Sequence, residues 1–234
     1  MKTIGILGGM SWESSVEYER IINTEVRERL GGVHSADLLI RSYDFDAIEE
    51  LQEAGEWEAA GRLLGNDAAR LERAGAELIV LATNTMHKVA PQIEAAISIP
   101  FLHIADATAD AVRAAGIETI ALLGTRYTME QDFYRGRLAE RGLKVLVPDE
   151  PDRTFIHDVI FEELVRGRAE PSSKHRYLQI IDRLQERGAE GVIAGCTEIE
   201  LLVTPDDVEQ PYFPTARIHA IAAVDFALAQ PVDQ

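Results

Sequence analysis

Cys196 is the residue of this sequence whose type and surroundings are best suited to chemistry. It is the single cysteine of the chain, it directly follows an apolar run that ends in Gly195, and it precedes Thr197 and Glu198. If a strand ends and a helix begins here, the N–H groups at the helix start favour a thiolate. The alternative is a small buried hydrophobic side chain, the usual role of a free cysteine. Glu198 could bind a substrate ammonium group, tune the thiol, or simply be a first-turn acid.

A second polar cluster, made of Thr83, Asn84, Thr85 and His87, follows another apolar run. Asn84 and Thr85, like Thr197 in the other cluster, suit recognition of carboxylates or amino groups together with main-chain amides. The Thr83 hydroxyl is a far weaker acid than a thiol, so it could donate a hydrogen bond or relay a proton, or only cap a helix near Thr85. His87 lies four residues after Thr83 on the same predicted helix face, where a structural role is equally possible.

Two loops at the ends of apolar runs are candidate ligand contacts. Gly9, Met10 and Ser11 follow the first run, and Thr125 follows the equivalent run near the middle of the chain. The glycine allows a close approach of the backbone to a ligand, and Ser11 can also cap the next helix. The spacing matches neither GxGxxG nor a P-loop, which argues against a dinucleotide or a nucleoside triphosphate.

Positive charge for an acidic ligand has few candidate sources. The cations best placed along the sequence are Arg41, Lys88, Arg126 and Arg166, although most such side chains are merely solvated surface. No Cys/His cluster has metal-ligand spacing and no Ser-His-Asp arrangement is legible. We therefore expect no metal.

Strand-length apolar runs alternate with longer helical segments along the whole chain. The runs are 3–9, 36–42, 76–82, 99–104, 118–124, 143–148 and 191–196. Segments such as 47–74 and 174–188 are rich in Ala, Glu, Leu and Arg at helical spacing. Continuous apolar strands between amphipathic helices are typical of parallel sheets covered on both faces, so we predict an α/β fold.

The chain also contains an apparent internal duplication. Residues 2–9 align with 118–125, and residues 48–85 align without a gap on 161–198. The few identities fall at the same helix start and the same helix-to-strand turn, which favours a repeat over coincidental α/β similarity. The sequence therefore predicts two pseudo-symmetric halves, each a mostly parallel sheet flanked by helices.

The repeat places Thr83 opposite Cys196, at the strand edge where α/β sheets bind ligands. We expect the two side chains to face one ligand from opposite sides. The predicted domains are 1–104, with a C-terminal helix 215–234 packing back on it, and 105–214.

Composition excludes several classes of partner. The chain has 234 residues and a formal net charge of −17, which argues against nucleic acid and anionic membranes. The N-terminus lacks a signal-peptide pattern, and no apolar segment is long enough to span a bilayer. With a single cysteine and no possible intrachain disulfide, we expect a cytoplasmic protein.

Taken together, the motifs resemble those of the aspartate/glutamate racemase family. They are GILGGMSWESS, TNTMHKVA, FLHIADAT, LLGTRYTMEQDFY and GCTEIELLV, in the family's order and spread over essentially the whole chain. The resemblance implies a pseudo-symmetric two-domain α/β fold, cofactor-independent amino-acid racemisation and commonly a homodimer. In the usual pattern each half supplies one cysteine. Here Cys196 matches the second and Thr83 replaces the first, so a two-thiol mechanism is not available.

We therefore expect a racemase of aspartate or glutamate without a cofactor, with Cys196 and Thr83 as catalytic residues. One enantiomer should be converted efficiently and the other poorly or not at all. The predicted substrate-binding residues are Gly9, Met10, Ser11, Arg41, Asn84, Thr85, His87, Thr125, Arg166, Thr197 and Glu198. Alternatives are a broad-specificity amino-acid racemase, a single-cysteine relative resembling arylmalonate decarboxylases, and a non-catalytic amino-acid-binding protein.

Overall fold

The computed structural model describes residues 1–229. Contacts divide the chain into two compact units, one formed by Met1–His103 with the segment that begins at His219, the other by Ile104–Ile218. The C-terminal helix runs from Thr215 to Leu228, and residues 230–234 of its predicted range lie outside the described residues.

The first unit contains a parallel sheet with the strand order β2-β1-β3-β4. Its strands are β1 (Ile4–Gly8), β2 (Leu38–Ser42), β3 (Leu78–Leu81) and β4 (Phe101–Leu102). Its helices up to His103 are α1 (Trp12–Leu30), α2 (Phe45–Glu53), α3 (Trp57–Arg73) and α4 (Ala90–Ala96), with a 3-10 helix at Thr85–Val89. The central strands β1 and β3 are buried along their whole length, as their continuous apolar runs require.

Helix α3 covers one face of this sheet. Its Ala60, Leu64 and Ala68, spaced four residues apart, pack in one core cluster with Leu7 and Leu81 of the strands. The predicted segment 47–74 is not one helix, because the chain breaks between α2 and α3. Gly55 has a φ of 71° at this break, a backbone conformation that glycine adopts without strain.

The second unit repeats this arrangement with the strand order β6-β5-β7-β8. Its strands are β5 (Thr119–Gly124), β6 (Lys144–Leu146), β7 (Val192–Gly195) and β8 (Tyr212–Pro214). Its helices are α5 (Ile104–Ala114), α6 (Arg126–Glu130), α7 (Asp132–Glu140), α8 (Asp152–Glu162), α9 (Pro171–Glu186) and the start of α10 (Thr215–Leu228). Shorter 3-10 helices lie at Leu164–Arg166, Thr197–Leu201 and Pro205–Asp207. The two sheets therefore share one topology, in agreement with the predicted α/β duplication.

Alternate strand residues of the second sheet pack into separate cores. Leu123 and Ala194 join a cluster with α8 and α9, whereas Leu122 and Ile193 join one with α5 and α7. Both faces are thus covered by helices, which is why the strands read as continuous apolar runs. Strand β8 was not predicted, since it is short and ends in a proline at the edge of the sheet.

Candidate active site

Thr83 lies just beyond the carboxyl end of a central strand in the first unit. Leu81, the last residue of β3, pairs with Leu7 of β1, and Thr83 follows two residues later. The Thr83 amide donates to the carbonyl oxygen of Leu81 at 2.9 Å, so the chain turns sharply as the strand ends. The side chain of Thr83 is half-buried.

Cys196 occupies the corresponding place in the second unit. Leu123 of β5, the counterpart of Leu7, pairs with Ala194 of β7, and Cys196 again follows two residues later. With Leu7 and Leu123 matched by the sequence repeat, the strand registers place Thr83 and Cys196 at equivalent positions. Each lies at the carboxyl edge of its own parallel sheet, the edge at which such sheets bind ligands.

Close backbone packing brings Cys196 beside a second polar strand end. Gly124 and Gly195 pair directly across β5 and β7, and Thr125 and Cys196 are the next residues. A Cβ atom on Gly195 would lie 2.8 Å from the carbonyl oxygen of Leu123, so a larger residue would force the strands to shift. The glycine before Cys196 is therefore set by strand packing.

The Cys196 thiol is bonded to a carboxylate. Its Sγ donates to Oε2 of Glu198 at 2.9 Å, and the Glu198 side chain is buried. Burial, followed by the negative charge of Glu198, raises the pKa of the Cys196 thiol well above its ordinary value. The expectation that a helix start would lower this pKa is wrong. The helix there is only the short 3-10 segment Thr197–Leu201, and the adjacent acid outweighs its amide groups.

The polar cluster after β3 is ordered by main-chain contacts. Asn84 is the N-cap residue of the 3-10 helix Thr85–Val89, so Thr83 does not cap it. The His87 ring donates from Nδ1 to the carbonyl oxygen of Thr83 at 2.7 Å, since a carbonyl oxygen can only accept. Asn84, Thr85 and His87 are all buried.

A cluster of buried histidines lies next to this turn. The His87 ring centroid is 4.5 Å from that of His103 and 5.8 Å from that of His219. His219 donates from Nε2 to the carbonyl oxygen of Leu102 at 2.9 Å and accepts at Nδ1 from the Tyr18 hydroxyl at 2.9 Å. Burial lowers the pKa of His219 to about 4, so its ring is neutral near pH 7.

The remaining loop residues at the strand ends cap helices or make hydrogen bonds through the main chain. Gly9 has a φ of 86° and donates its amide to Oγ of Ser15 at 2.6 Å. Ser11 is the N-cap of α1 and accepts from the amide of Ser14. Thr125 is likewise the N-cap of α6. Met10, Ser11 and Thr125 are buried, and Thr197 is half-buried.

Comparison with known proteins identifies the family to which the chain belongs. A sequence model of the Asp/Glu/Hydantoin racemase family matches residues 7–223. The chain belongs to this family. Racemases are isomerases, and the enzyme class of the chain follows from this membership.

Solved structures of similar proteins agree with the family. A candidate Asp/Glu racemase from Yersinia pestis is 52% identical, with a TM-score of 0.93 over 98% of this chain and 100% of the other. An aspartate racemase homologue from Pyrococcus horikoshii is 36% identical, with a TM-score of 0.86 over 98% of this chain and 100% of the other. Both share the two-sheet α/β architecture described above.

A sequence relative extends the comparison to a broader substrate range. A broad-specificity amino-acid racemase from Bacillus subtilis is 24% identical over 165 residues, which cover 69% of this chain and 70% of the relative.

Three of the candidate cations of this racemase-family chain have acidic or aromatic neighbours. Arg41 donates from Nε to Oδ2 of the buried Asp67 at 3.1 Å and lies over the ring of Tyr43. Arg166, at the end of the 3-10 helix Leu164–Arg166, pairs with Glu162 at the end of α8 at 3.0 Å, and both side chains are exposed. The ammonium group of Lys88 lies over the ring of Trp57, 3.8 Å from its centroid.

The described residues contain neither a metal-ligand cluster nor a membrane-spanning helix. Within residues 1–229, no three or more His, Cys, Asp and Glu side chains are grouped so that they could hold a metal ion. In the same part of the chain, none of the helices combines the length and apolar character needed to cross a membrane.

Three buried polar residues near the strand ends are not among the predicted site residues. They are His103, His219 and Thr215, whose hydroxyl donates to the carbonyl oxygen of Ala194 at 2.9 Å. His103 lies within the FLHIADAT motif and could have been noted there. His219 carried no comparable signal, because its partners are distant in sequence.

Proposed function

We propose that the protein racemises an acidic amino acid, aspartate or glutamate, without a cofactor, using Cys196 and Thr83 on opposite faces of Cα. The main support is the matching register of these two residues, each two positions beyond equivalent strand pairs. Membership of the racemase family supplies the reaction class.

The chemistry begins with a very weakly acidic hydrogen at Cα. Its removal needs a strong base and groups that stabilise the carboxylate as charge spreads onto it. A thiolate at Cys196 serves as the base on one face. The proposed substrate-binding residues offer hydroxyl, amide and guanidinium groups and the backbone of the first loop. They are Gly9, Met10, Ser11, Arg41, Asn84, Thr85, His87, Thr125, Arg166, Thr197 and Glu198.

Thr83 makes the two faces of the proposed site differ in their ability to transfer a proton. An alcohol gives up its proton far less readily than a thiol, so proton delivery from the Thr83 side is slow. The two enantiomers are equally stable in solution, so the two directions of a racemisation must have equal kcat/KM. The expected inequality therefore lies in the separate kcat and KM values, and in proton exchange that occurs without inversion.

Exchange of the Cα hydrogen for deuterium in heavy water measures this difference between the two faces. The enantiomer whose Cα hydrogen faces Cys196 should exchange that hydrogen with retention faster than it inverts, because the same thiol removes and returns the proton. The other enantiomer should exchange slowly. By the family resemblance, the faster one is expected to be the L-form. Nuclear magnetic resonance with L- and D-aspartate and L- and D-glutamate reports exchange, and chiral chromatography reports inversion.

Two variants sharpen the test. Cys196→Ala should abolish exchange, and Thr83→Cys should raise inversion until exchange of the two enantiomers is similar. Exchange that is equally fast for both enantiomers in the native protein would count against the unequal site. Tight amino-acid binding with no exchange at all would instead support a non-catalytic binding protein.

A broad-specificity racemase is the second candidate, favoured by the similarity to the Bacillus subtilis relative. A panel of neutral, basic and acidic amino acids, with a substituted malonate, separates the candidates. Comparable kcat/KM across the panel would support broad specificity, and carbon dioxide release from the malonate would support decarboxylation.

Alanine variants of Arg41 and Arg166 should raise KM for acidic substrates if these cations bind the side-chain carboxylate. The resemblance also implies a homodimer, which analytical ultracentrifugation measures.

A further inference from the structure

Ser15 joins the first loop, residues 9–11, to the helix that follows it. Its Oγ accepts a hydrogen bond from the main-chain amide of Gly9 at 2.6 Å and donates one to the carbonyl oxygen of Ser11 at 3.1 Å. A hydroxyl can donate and accept at the same time, so the two bonds are compatible. One side chain therefore bridges the two ends of the loop.

The bond to Gly9 goes beyond what helix α1 itself requires. A serine inside a helix often donates to the carbonyl oxygen four residues earlier, which accounts for the bond to Ser11. The N-cap of α1 is Ser11, whose side chain accepts from the amide of Ser14. The Gly9 amide, in contrast, lies outside the helix and six residues before Ser15, so its bond is not part of the helical pattern. This contact holds the loop rather than the helix.

Close packing on both sides fixes the conformation of the same loop. A Cβ atom on Gly8 would lie 2.5 Å from Oγ of Ser15, so a glycine at position 8 lets the hydroxyl reach the loop. On the other side, Gly9 lies against the main chain of Tyr43, whose amide donates to the Gly8 carbonyl oxygen at 3.0 Å. The Tyr43 hydroxyl is bonded to the buried Asp67 at 2.9 Å. The loop is therefore fixed between α1 and the end of β2.

The second unit shows that the repeated fold does not dictate this use of a hydroxyl. Gly124, which the sequence repeat matches with Gly8, packs against Thr128 of α6. A Cβ atom on Gly124 would lie 3.2 Å from the Thr128 methyl carbon, and the Thr128 hydroxyl lies 3.2 Å from that of Thr125. Each strand-end glycine thus has a helix side chain packed on it. In the first unit this side chain turns its hydroxyl toward the loop.

We propose that Ser15 is a positioning residue of the first loop and that its hydroxyl holds residues 9–11 in the conformation that binds the amino acid. This inference rests on the proposed function, which assigns Gly9, Met10 and Ser11 to substrate binding. Ser15 acts through these residues. Without its hydroxyl, binding must first order the loop, and this cost weakens substrate affinity.

Ser15→Ala and Ser15→Thr test this role through separate kcat and KM values. Ser15→Ala should raise KM about tenfold for both enantiomers and change kcat less than about threefold, because the loop contacts the substrate before and during proton transfer. Ser15→Thr keeps the hydroxyl and should keep KM within about twofold of the native value. Chiral chromatography with L- and D-aspartate and L- and D-glutamate gives both constants.

Asn23 offers a matched structural control on the same helix. Its side chain accepts from the amide of Ala36 at 2.9 Å and donates to the carbonyl oxygen of Glu19 at 2.9 Å. It lies eight residues after Ser15, about 12 Å further along the helix axis. Asn23→Ala should lower the free energy of unfolding, as urea titration measures, and leave KM unchanged. Equal increases of KM in Asn23→Ala and Ser15→Ala would show that the stability of α1, and not the loop bond, controls binding.

Hydrogen exchange of the Gly9 main-chain amide reports the bond directly. In the native protein this amide is bonded to Oγ of Ser15, so it should be protected from exchange with heavy water. Ser15→Ala should speed its exchange about tenfold or more by local opening of the loop, and Ser15→Thr should not. Nuclear magnetic resonance of the labelled protein resolves this single amide.

The two hypotheses can fail separately. A native protein that racemises an amino acid, with an unchanged KM in Ser15→Ala, would overturn the role of Ser15 alone. A native protein that binds an amino acid without converting it would overturn the proposed function. Calorimetry would then decide on Ser15, because Ser15→Ala should weaken the affinity about tenfold. A native protein that neither binds nor converts any of these amino acids would overturn both.

A further variant keeps the test decisive if Ser15→Ala is unfolded by circular dichroism. Ser15→Cys fills a similar space, but its thiol is a weak hydrogen-bond acceptor. A raised KM in Ser15→Cys, with a native KM in Ser15→Thr, would support the role of the hydroxyl. A native KM in Ser15→Cys would refute it.

Discussion

The Nδ1 atom of His87 lies 2.7 Å from the main-chain oxygen of Thr83 and donates a hydrogen bond to it. The bond ties the 3-10 helix Thr85–Val89 back to the residue at the strand end. His87 is buried beside the rings of His103 and Phe101, so its ring orientation is fixed by packing. This arrangement sets where the side chain of residue 83 can point.

Loss of the His87 donor should therefore affect the Thr83 side of the reaction. Asparagine places an amide nitrogen the same number of bonds from Cα as Nδ1, whereas glutamine does not. We expect His87→Gln to lower inversion roughly tenfold or more through misplacement, and to leave exchange with retention at Cys196 largely intact. His87→Asn should retain most of the inversion rate. Equal losses in both variants would show that packing, not this hydrogen bond, is what matters.

Buried His219 should make the first unit sensitive to acid. Its pKa is lowered from 6.5 to about 4 by burial, so below pH 6.5 the unfolded chain binds a proton that the folded chain does not. The free energy of unfolding should fall as the pH decreases from 6.5 to 4, by about 3 kcal/mol from this group.

His219→Gln provides the matched control for acid sensitivity. Its amide can donate to the Leu102 carbonyl or accept from the Tyr18 hydroxyl, but it does not titrate. Urea unfolding at pH 7 and pH 4.5 should show a smaller loss of stability in this variant than in the native protein. Contributions from other acids and histidines cancel in the difference. An identical loss in both proteins would contradict the assignment.

Asp67 should contribute to stability more than the arginines that surround it. Its buried carboxylate accepts from the Tyr43 hydroxyl at 2.9 Å, from Arg41 at 3.1 Å and from Arg70 at 2.6 Å. Asp67→Asn should lower the free energy of unfolding by about 2 kcal/mol, because a charged acceptor for buried Tyr43 is lost. Arg41→Ala should cost less than about 1 kcal/mol, since that side chain is 46% exposed and screened by solvent. Urea titrations of both variants test the order.

Gly9 should tolerate no side chain. A Cβ atom there would lie 2.3 Å from the main-chain nitrogen of Tyr43 and 2.4 Å from its oxygen, and the φ of 86° is also unfavourable for other residues. Gly9→Ala should therefore destabilise the fold by about 3 kcal/mol or more. Gly55→Ala is the control, because Gly55 also has a positive φ but has open space around its Cβ position. It should cost only about 1 kcal/mol, as thermal or urea unfolding would show.

The main architecture could be predicted because burial acts on every residue of a central strand. Strands β1, β3, β5 and β7 are covered on both faces, so they must be apolar throughout and are visible as runs in the sequence. The duplication was visible for a related reason. Equivalent helices and turns in two identical sheet topologies need similar residues at the same spacing.

Other structural features have no recognisable pattern in the sequence. Strand β8 is three residues long and lies at a sheet edge, where pairing with one neighbour imposes little on composition. The bond between Tyr18 and His219 joins residues 201 positions apart, and neither residue stands out in its own segment. Such contacts arise from the folding of the chain as a whole.

The sequence by itself determined the α/β class, the repeated halves and the placement of Thr83 and Cys196 at corresponding strand ends, because periodicity and local residue type carry that information. Only the tertiary structure decided the protonation of the site. The Cys196 thiol is held protonated by burial and by a carboxylate 2.9 Å away, and His219 is kept neutral by burial. Proton affinity depends on solvent exclusion and on the distances between charges, and both are properties of the folded chain.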